Sequence, residues 1–217
     1  MSQRKKINKN KELFIGAYKI SPTLCDEIIE EFENFSIKSD CTNEYQGYIC
    51  QVGDGFENNP GLKTKYLIAL GDCLTKYKKS YKTCTWTEEW QFNGSMNIQK
   101  YPPGRHYSVP HSEIDYTFPL IKRHLVFMTY LNSIKEGGGT KFFNQKLVVK
   151  PKKGLTLIWP AHWTHTHIGI PAPKETKYIS TGWYEFSDDF RFFKSAEKFL
   201  SHDYCNYENL RINVFKK

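Results

Sequence analysis

Hydrophobic positions follow one rhythm up to about residue 81 and another beyond it. In "SPTLCDEIIEEFENF" (21–35), Leu24, Ile28 and Phe32 recur every fourth residue and share one face of a helix. Ser21 is a natural N-cap, Pro22 suits the first helical position, and acids occupy the early turns. "GLKTKYLIALGDCLTKYKKSY" (61–81) predicts a second amphipathic helix through Leu62, Leu67, Leu70, Leu74 and Tyr77. Before these, "LFIGAYKIS" (13–21) reads as a strand, and the polar stretch 36–60 between them reads as a loop. From residue 84 the apolar residues come in short runs: "TWTEEWQF", "SMNIQKY", "HLVFMTYLN", "KLVVK", "GLTLIW" and "KYISTGWYEF". Gly, Pro and Asn separate them. "DFRFFKSAEKFLSH" (189–202) predicts a last helix. Helices followed by a run of strands predict an α+β protein with a β-sandwich or jelly-roll core.

Composition narrows this picture. A chain of 217 residues, 39% hydrophobic and 16% aromatic, is one domain with enough length for a Phe-, Tyr- and Trp-rich core. No apolar run reaches the roughly 18 residues of a membrane span. Met1–Leu13 is basic and polar, unlike a secretory signal, and residues 1–11 read as a disordered basic tail. Cysteines 25, 41, 50, 73, 84 and 205 form no zinc spacing, and we expect reduced thiols in a cytoplasmic protein, a Cys41–Cys50 bridge being the lesser alternative. The net charge of +8 invites nucleic acid, but only five of the 31 basic residues are Arg (4, 105, 123, 191 and 211). Lysines spread along the chain favour a solvated surface over a groove that reads phosphates with forked contacts.

Two clusters carry candidate chemistry. In "VPHSEID", His111 and Glu113 would share a strand face and offer an imidazole and a carboxylate side by side. In "WPAHWTHTHIGIPAPKETKYISTGW" (159–183), His162, His165 and His167 crowd six residues. A second His from there would complete a 2-His-1-carboxylate triad, the open-sided set that suits non-haem Fe(II). Strand period alone leaves His165 and His167 equivalent. Each histidine on its own is as well read as a hydrogen-bonded structural residue.

The order of motifs separates them. From Met96 to Phe186 the chain resembles the Fe(II)/2-oxoglutarate-dependent dioxygenases of the prolyl 4-hydroxylase type, especially short viral and bacterial members. "YPPGRHYSVPHSE" resembles the family's Tyr-x-x-Gly segment leading into H-x-D. "FMTYLNSIKEGGGTKFF" resembles its Tyr-Leu-Asn and Gly-Gly-x-Thr turn, and "VVKPKKGLTLIWP" its Pro-x-x-Gly strand. "HIGIPAPKETKYISTGW" resembles its His-x-Gly-x-Pro segment with a basic residue ten positions after the His. Counted back from Lys177, that His is His167. His165 is the runner-up and His162 a rim or structural residue.

The resemblance implies a double-stranded β-helix (jelly roll) over 84–186, with the N-terminal helices packed on one sheet and 187–217 as a helical extension. His111, Glu113 and His167 would hold Fe(II), and Lys177 would meet the far carboxylate of 2-oxoglutarate. Tyr130 and Tyr101 would hydrogen-bond that co-substrate, with packing in the core as the alternative for each. Thr140 and Trp183 would line the same pocket. Gly137–Gly139 reads as turn geometry, since no phosphate-loop Lys-Ser/Thr follows. Glu113 departs from the family's usual Asp but keeps a hard oxygen donor, which argues against the halogenase variant. The implied reaction hydroxylates an unactivated C–H bond, most simply of a peptidyl proline, using O2 and releasing succinate and CO2, with ascorbate as a candidate reductant. The substrate is then a peptide or protein. Two rivals remain at this level: an oxygenase acting on nucleic acid or a free amino acid, and a non-catalytic jelly-roll binding module.

Overall fold

Alternation of side chains along two long strands organises the molecule. The computed structural model describes residues 2–34, 39–43, 48–53, 56, 59–87, 89–114 and 120–187. The helix expected over 189–202 lies outside them.

Among the described residues ten strands form two antiparallel sheets. The larger has the order β1 (Gly16–Lys19), β8 (Leu155–Pro160), β5 (Arg123–Tyr130), β10 (Lys177–Phe186), β4 (Trp90–Tyr101), β3 (Tyr48–Gly53), β2 (Ser39–Asn43). The smaller has the order β7 (Leu147–Val149), β6 (Thr140–Phe142), β9 (His167–Gly169). β10 pairs with β4 on one side and β5 on the other. It is buried along nearly its whole length, so its two faces feed two different cores.

On one face, Tyr184 packs with Ile98 of β4, Leu125 and Phe127 of β5 and Ile158 of β8. Two helices cover this face, α2 (Pro22–Asn34) and α3 (Pro60–Ser80). α2 presents Leu24, Ile28 and Phe32 as its periodicity predicts. Ile28 and Phe32 are wholly buried, each worth about 1.5–3 kcal/mol of transfer free energy. α3 starts from the Asn59 side chain, which accepts the Leu62 N–H at 3.0 Å, with Pro60 at its first position. On the other face, Val126, Met128, Leu157, Trp159, Ile179 and Trp183 meet Phe142 and Val149 of the smaller sheet. This inter-sheet space opens into the cavity described below. The helix-backed jelly roll expected from the sequence is the fold observed.

Two expectations change. Residues 36–60, read as a loop, contain β2 and β3, which extend the larger sheet. The tail 1–11, read as disordered, holds α1 (Gln3–Lys9). Ile7 is buried among inter-sheet residues, and the Asn8 amide both donates to the Ala17 carbonyl (2.6 Å) and accepts its N–H (2.7 Å). Gln3 does the same work at β7, donating to Val148 O and accepting from Lys150 N. Two exposed edges are thereby blunted by side-chain amides. The glycine turn behaves as expected: Gly137 has φ +69°, and a Cβ there would collide with the Pro171 carbonyl.

Candidate metal and co-substrate site

His111 and His167 meet through the backbone first. Each N–H donates to the other's carbonyl, at 3.0 and 2.9 Å. Residues directly opposite in an antiparallel pair project to the same side, and the two ring centroids are 4.3 Å apart. Glu113 then turns back, its N–H held by Ala161 O at 3.0 Å. A strand through 111–113 was expected; instead His111 makes a single bridge and Glu113 lies in a bend. The outcome is equivalent, because the bend delivers the carboxylate to the histidine pair.

The hydrogen bonds fix which atoms face inward. His111 Nδ1 lies 2.8 Å from Val109 O and His167 Nδ1 lies 3.0 Å from His165 O. A carbonyl only accepts, so both Nδ1 atoms carry a proton, and in the neutral rings both Nε2 atoms present lone pairs. Those Nε2 atoms stand 3.5 and 3.4 Å from Glu113 Oε1. Burial alone would raise the Glu113 carboxyl, but when the metal-free imidazoles are protonated at Nε2 their hydrogen bonds and positive charge outweigh it and hold it well below the usual carboxylate range. For His111, burial pulls down and Glu113 pulls up, with a net rise. Among the described residues this is the group of ligating side chains close enough for a metal, with all three donor atoms within 4.8 Å of one another. Two neutral nitrogens and one anionic oxygen on one side of a cavity fit a divalent cation that keeps further positions for a chelating acid.

His165 is settled by its partners. It ends a 3-10 turn (Trp163–His165) rather than lying in β9. Its Nε2 lies 3.0 Å from Leu13 O, its Nδ1 3.0 Å from Thr164 Oγ1, and burial lowers its pKa. It ties the turn to the N-terminal segment. His162 is exposed.

A cavity of about 430 Å³ extends from the triad between the sheets. At its far end Lys177 is only 3% exposed, with Nζ 4.6 Å from the centroid of Tyr101, its register partner on β4. The Asn132 side chain brackets the lysine: it donates to Thr176 O at 2.7 Å and accepts from Tyr178 N at 2.9 Å. Thus the peptide groups on both sides of Lys177 are pinned while its side chain points inward. Thr140 lines the cavity, and Tyr101 donates to Gln99 Oε1 at 2.6 Å beside it. Tyr130 stands one layer back, wholly buried, sharing its hydroxyl with Thr140 Oγ1 at 2.7 Å. Trp183 faces the triad rather than the lysine, donating Nε1–H to Glu113 Oε2 at 2.9 Å.

Sequence reasoning passed over Gln99, Thr181, Met128 and Arg123, all of which line the cavity. Gln99 and Thr181 sit two residues from Tyr101 and from Trp183, so strand alternation alone would have found them. Arg123 has no such signal, for a reason given below.

Residues 96–185 match the 2OG-Fe(II) oxygenase superfamily model. Bovine procollagen-lysine,2-oxoglutarate 5-dioxygenase 1 is 28% identical over 179 residues, covering 74% of this chain and 22% of that protein. The chain thus spans about a fifth of the length of the curated relatives it matches. Among solved structures, the viral collagen prolyl hydroxylase of Paramecium bursaria chlorella virus-1 superposes with TM-score 0.58 at 18% identity, over 80% of this chain and 97% of that one. A Trichoplax adhaerens prolyl hydroxylase bound to a hypoxia inducible factor peptide gives TM-score 0.59 at 17% identity, over 85% and 94%. With the triad, the buried lysine and the helix-backed jelly roll in place, Met96–Glu185 is a 2OG-Fe(II) oxygenase domain.

Proposed function

We propose that the protein is an Fe(II)- and 2-oxoglutarate-dependent dioxygenase that hydroxylates a side chain of a peptide or protein, with a peptidyl proline as the first substrate to test. The observation that carries this reading is the pairing of two features in one cavity. Two Nε2 lone pairs and one carboxylate oxygen converge at one end, and a buried lysine waits at the other. His111, Glu113 and His167 would hold Fe(II), which supplies activation of O2 when bound. Lys177 would bind the far carboxylate of 2-oxoglutarate, with Thr140 and Tyr101 as hydroxyl neighbours and Tyr130 holding Thr140 in place. Burial strengthens that ion pair, since water does not compete inside the sheets. The apolar walls Met128, Trp159 and Ile179 keep bulk water from the reacting centre.

The prolyl assignment follows the folds of its structural neighbours. Peptidyl lysine is the second reading, favoured by the procollagen-lysine hydroxylases among its sequence relatives. Cys25, Cys73 and Cys84 are free thiols, as expected in a reducing compartment, and ascorbate is the candidate reductant. No helix among the described residues is long and apolar enough to cross a membrane.

The test is incubation with Fe(II), 2-oxoglutarate, O2 and ascorbate against proline-rich and lysine-containing peptides, read by mass spectrometry. The expected product is one added oxygen on a prolyl residue, with stoichiometric succinate. Oxygen added to lysine would select the second reading, and succinate release with oxygen added to neither peptide would overturn the peptidyl assignment.

A further inference from the structure

Glu113 has two oxygens in two different environments. Oε1 faces the two histidine Nε2 atoms. Oε2 accepts from Trp183 Nε1 at 2.9 Å and lies 3.5 Å from Arg123 Nη1. The same Arg123 nitrogen donates to the Glu113 backbone carbonyl at 3.0 Å, while Ala161 holds the Glu113 N–H. The guanidinium also stacks on Trp183, 3.6 Å from the ring centroid, and its Nε lies 3.8 Å from Glu185 Oε1.

Strand register makes this cluster possible. Tyr184 pairs with Leu125, yet Glu185 pairs with Arg123, so β5 carries one extra residue, His124, at a bulge. Without it, alternation from Met128 and Val126 would put His124 on the cavity face and Arg123 among the helices. With it, His124 turns away to Cys84 O and Trp90, and Arg123 joins the cavity.

We infer that Arg123 and Trp183 form a positioning clamp that fits the site to a glutamate ligand, fixing Oε2 so that Oε1 alone is offered to the metal. This rests on the metal reading above. The backbone of Glu113 is pinned at both its N–H and its carbonyl, so an aspartate there would withdraw the carboxylate by one C–C bond, about 1.5 Å. It would then reach the clamp or the metal position, not both. Glu113→Asp, the family-typical residue, should therefore weaken the site rather than repair it.

The experiment is anaerobic titration of the metal-free full chain with Fe(II), read by calorimetry, with thermal unfolding confirming each variant's fold. Trp183→Phe, Arg123→Lys and Glu113→Asp should each weaken Fe(II) binding about 10- to 100-fold, the usual loss when a ligand's supporting hydrogen bond is removed. Arg123→Lys keeps the charge but loses the planar fork. Adding Trp183→Phe to Glu113→Asp should cost clearly less than on the wild type, since the clamp has then lost its target. Folded Trp183→Phe and Arg123→Lys proteins that bind Fe(II) as tightly as wild type would overturn the clamp. So would a Glu113→Asp variant that binds at least as tightly. Should Trp183→Phe fail to fold, the other two variants decide. A folded wild type that takes up no Fe(II) would instead overturn the metal reading, and the clamp with it.

Discussion

The two faces of the larger sheet are built from the same strands, yet they solve the problem of buried polar groups in opposite ways. On the helix-covered face a set of neutral hydroxyls under α3 hydrogen-bonds within itself. Tyr66 of α3 donates to Thr129 Oγ1 at 2.8 Å, and Thr129 shares a 2.8 Å bond with Thr156. Burial pushes the Tyr66 phenol well above its ordinary range, so it stays protonated and donates. On the cavity face, one residue along each strand, ionisable groups face a shared space. A buried hydroxyl network adds stability and uniqueness. Ligating side chains and a lysine buried around one cavity carry a desolvation cost that a bound ligand offsets. The contrast teaches that burial of polar groups marks function where ionisable groups converge on one cavity.

The largest effect expected from breaking this contrast is at its charged end. Lys177→Ala should raise the KM for 2-oxoglutarate roughly 10- to 100-fold, the loss of about 1.5–3 kcal/mol for a charge-assisted contact. Succinate release as a function of 2-oxoglutarate measures it. Melting temperature should fall little or rise, because a buried charge is removed. On the opposite face, Tyr66→Phe should cost about 1–2 kcal/mol of stability by denaturant unfolding. It should leave the KM unchanged. A KM shift from Tyr66→Phe, or a large stability loss from Lys177→Ala, would erase the distinction between the faces. The smallest effect is at His165→Ala, which lies beside the triad but belongs to the structural set. Losing its tie to Leu13 should cost about 1 kcal/mol and leave Fe(II) affinity intact by the same calorimetry.

Much of this was legible because it depends on local period. The amphipathic repeat of α2 and the apolar runs of β5, β8 and β10 specify the helix face and the buried strands. The ten-residue spacing from His167 to Lys177, read through the family likeness, found both ends of the cavity. What stayed hidden depends on tertiary contact. α1 has one apolar residue, Ile7, in a polar heptad, and its helix rests on docking and on the Asn8 clamp. Strand period could not separate His165 from His167, and the reason is now plain: the first ends a 3-10 turn and only the second is in a strand. Trp183 was placed in the pocket but not against Glu113, and Arg123 was missed because a single bulge reverses the face its position would otherwise take.

The most direct test of the central claim is an anaerobic titration of metal-free protein with Fe(II) and then 2-oxoglutarate, followed by the weak visible charge-transfer band of the chelate. We expect the band in the wild type and in His165→Ala, and its loss in His167→Ala. No band from folded wild type, or a band that survives His167→Ala, would contradict the site.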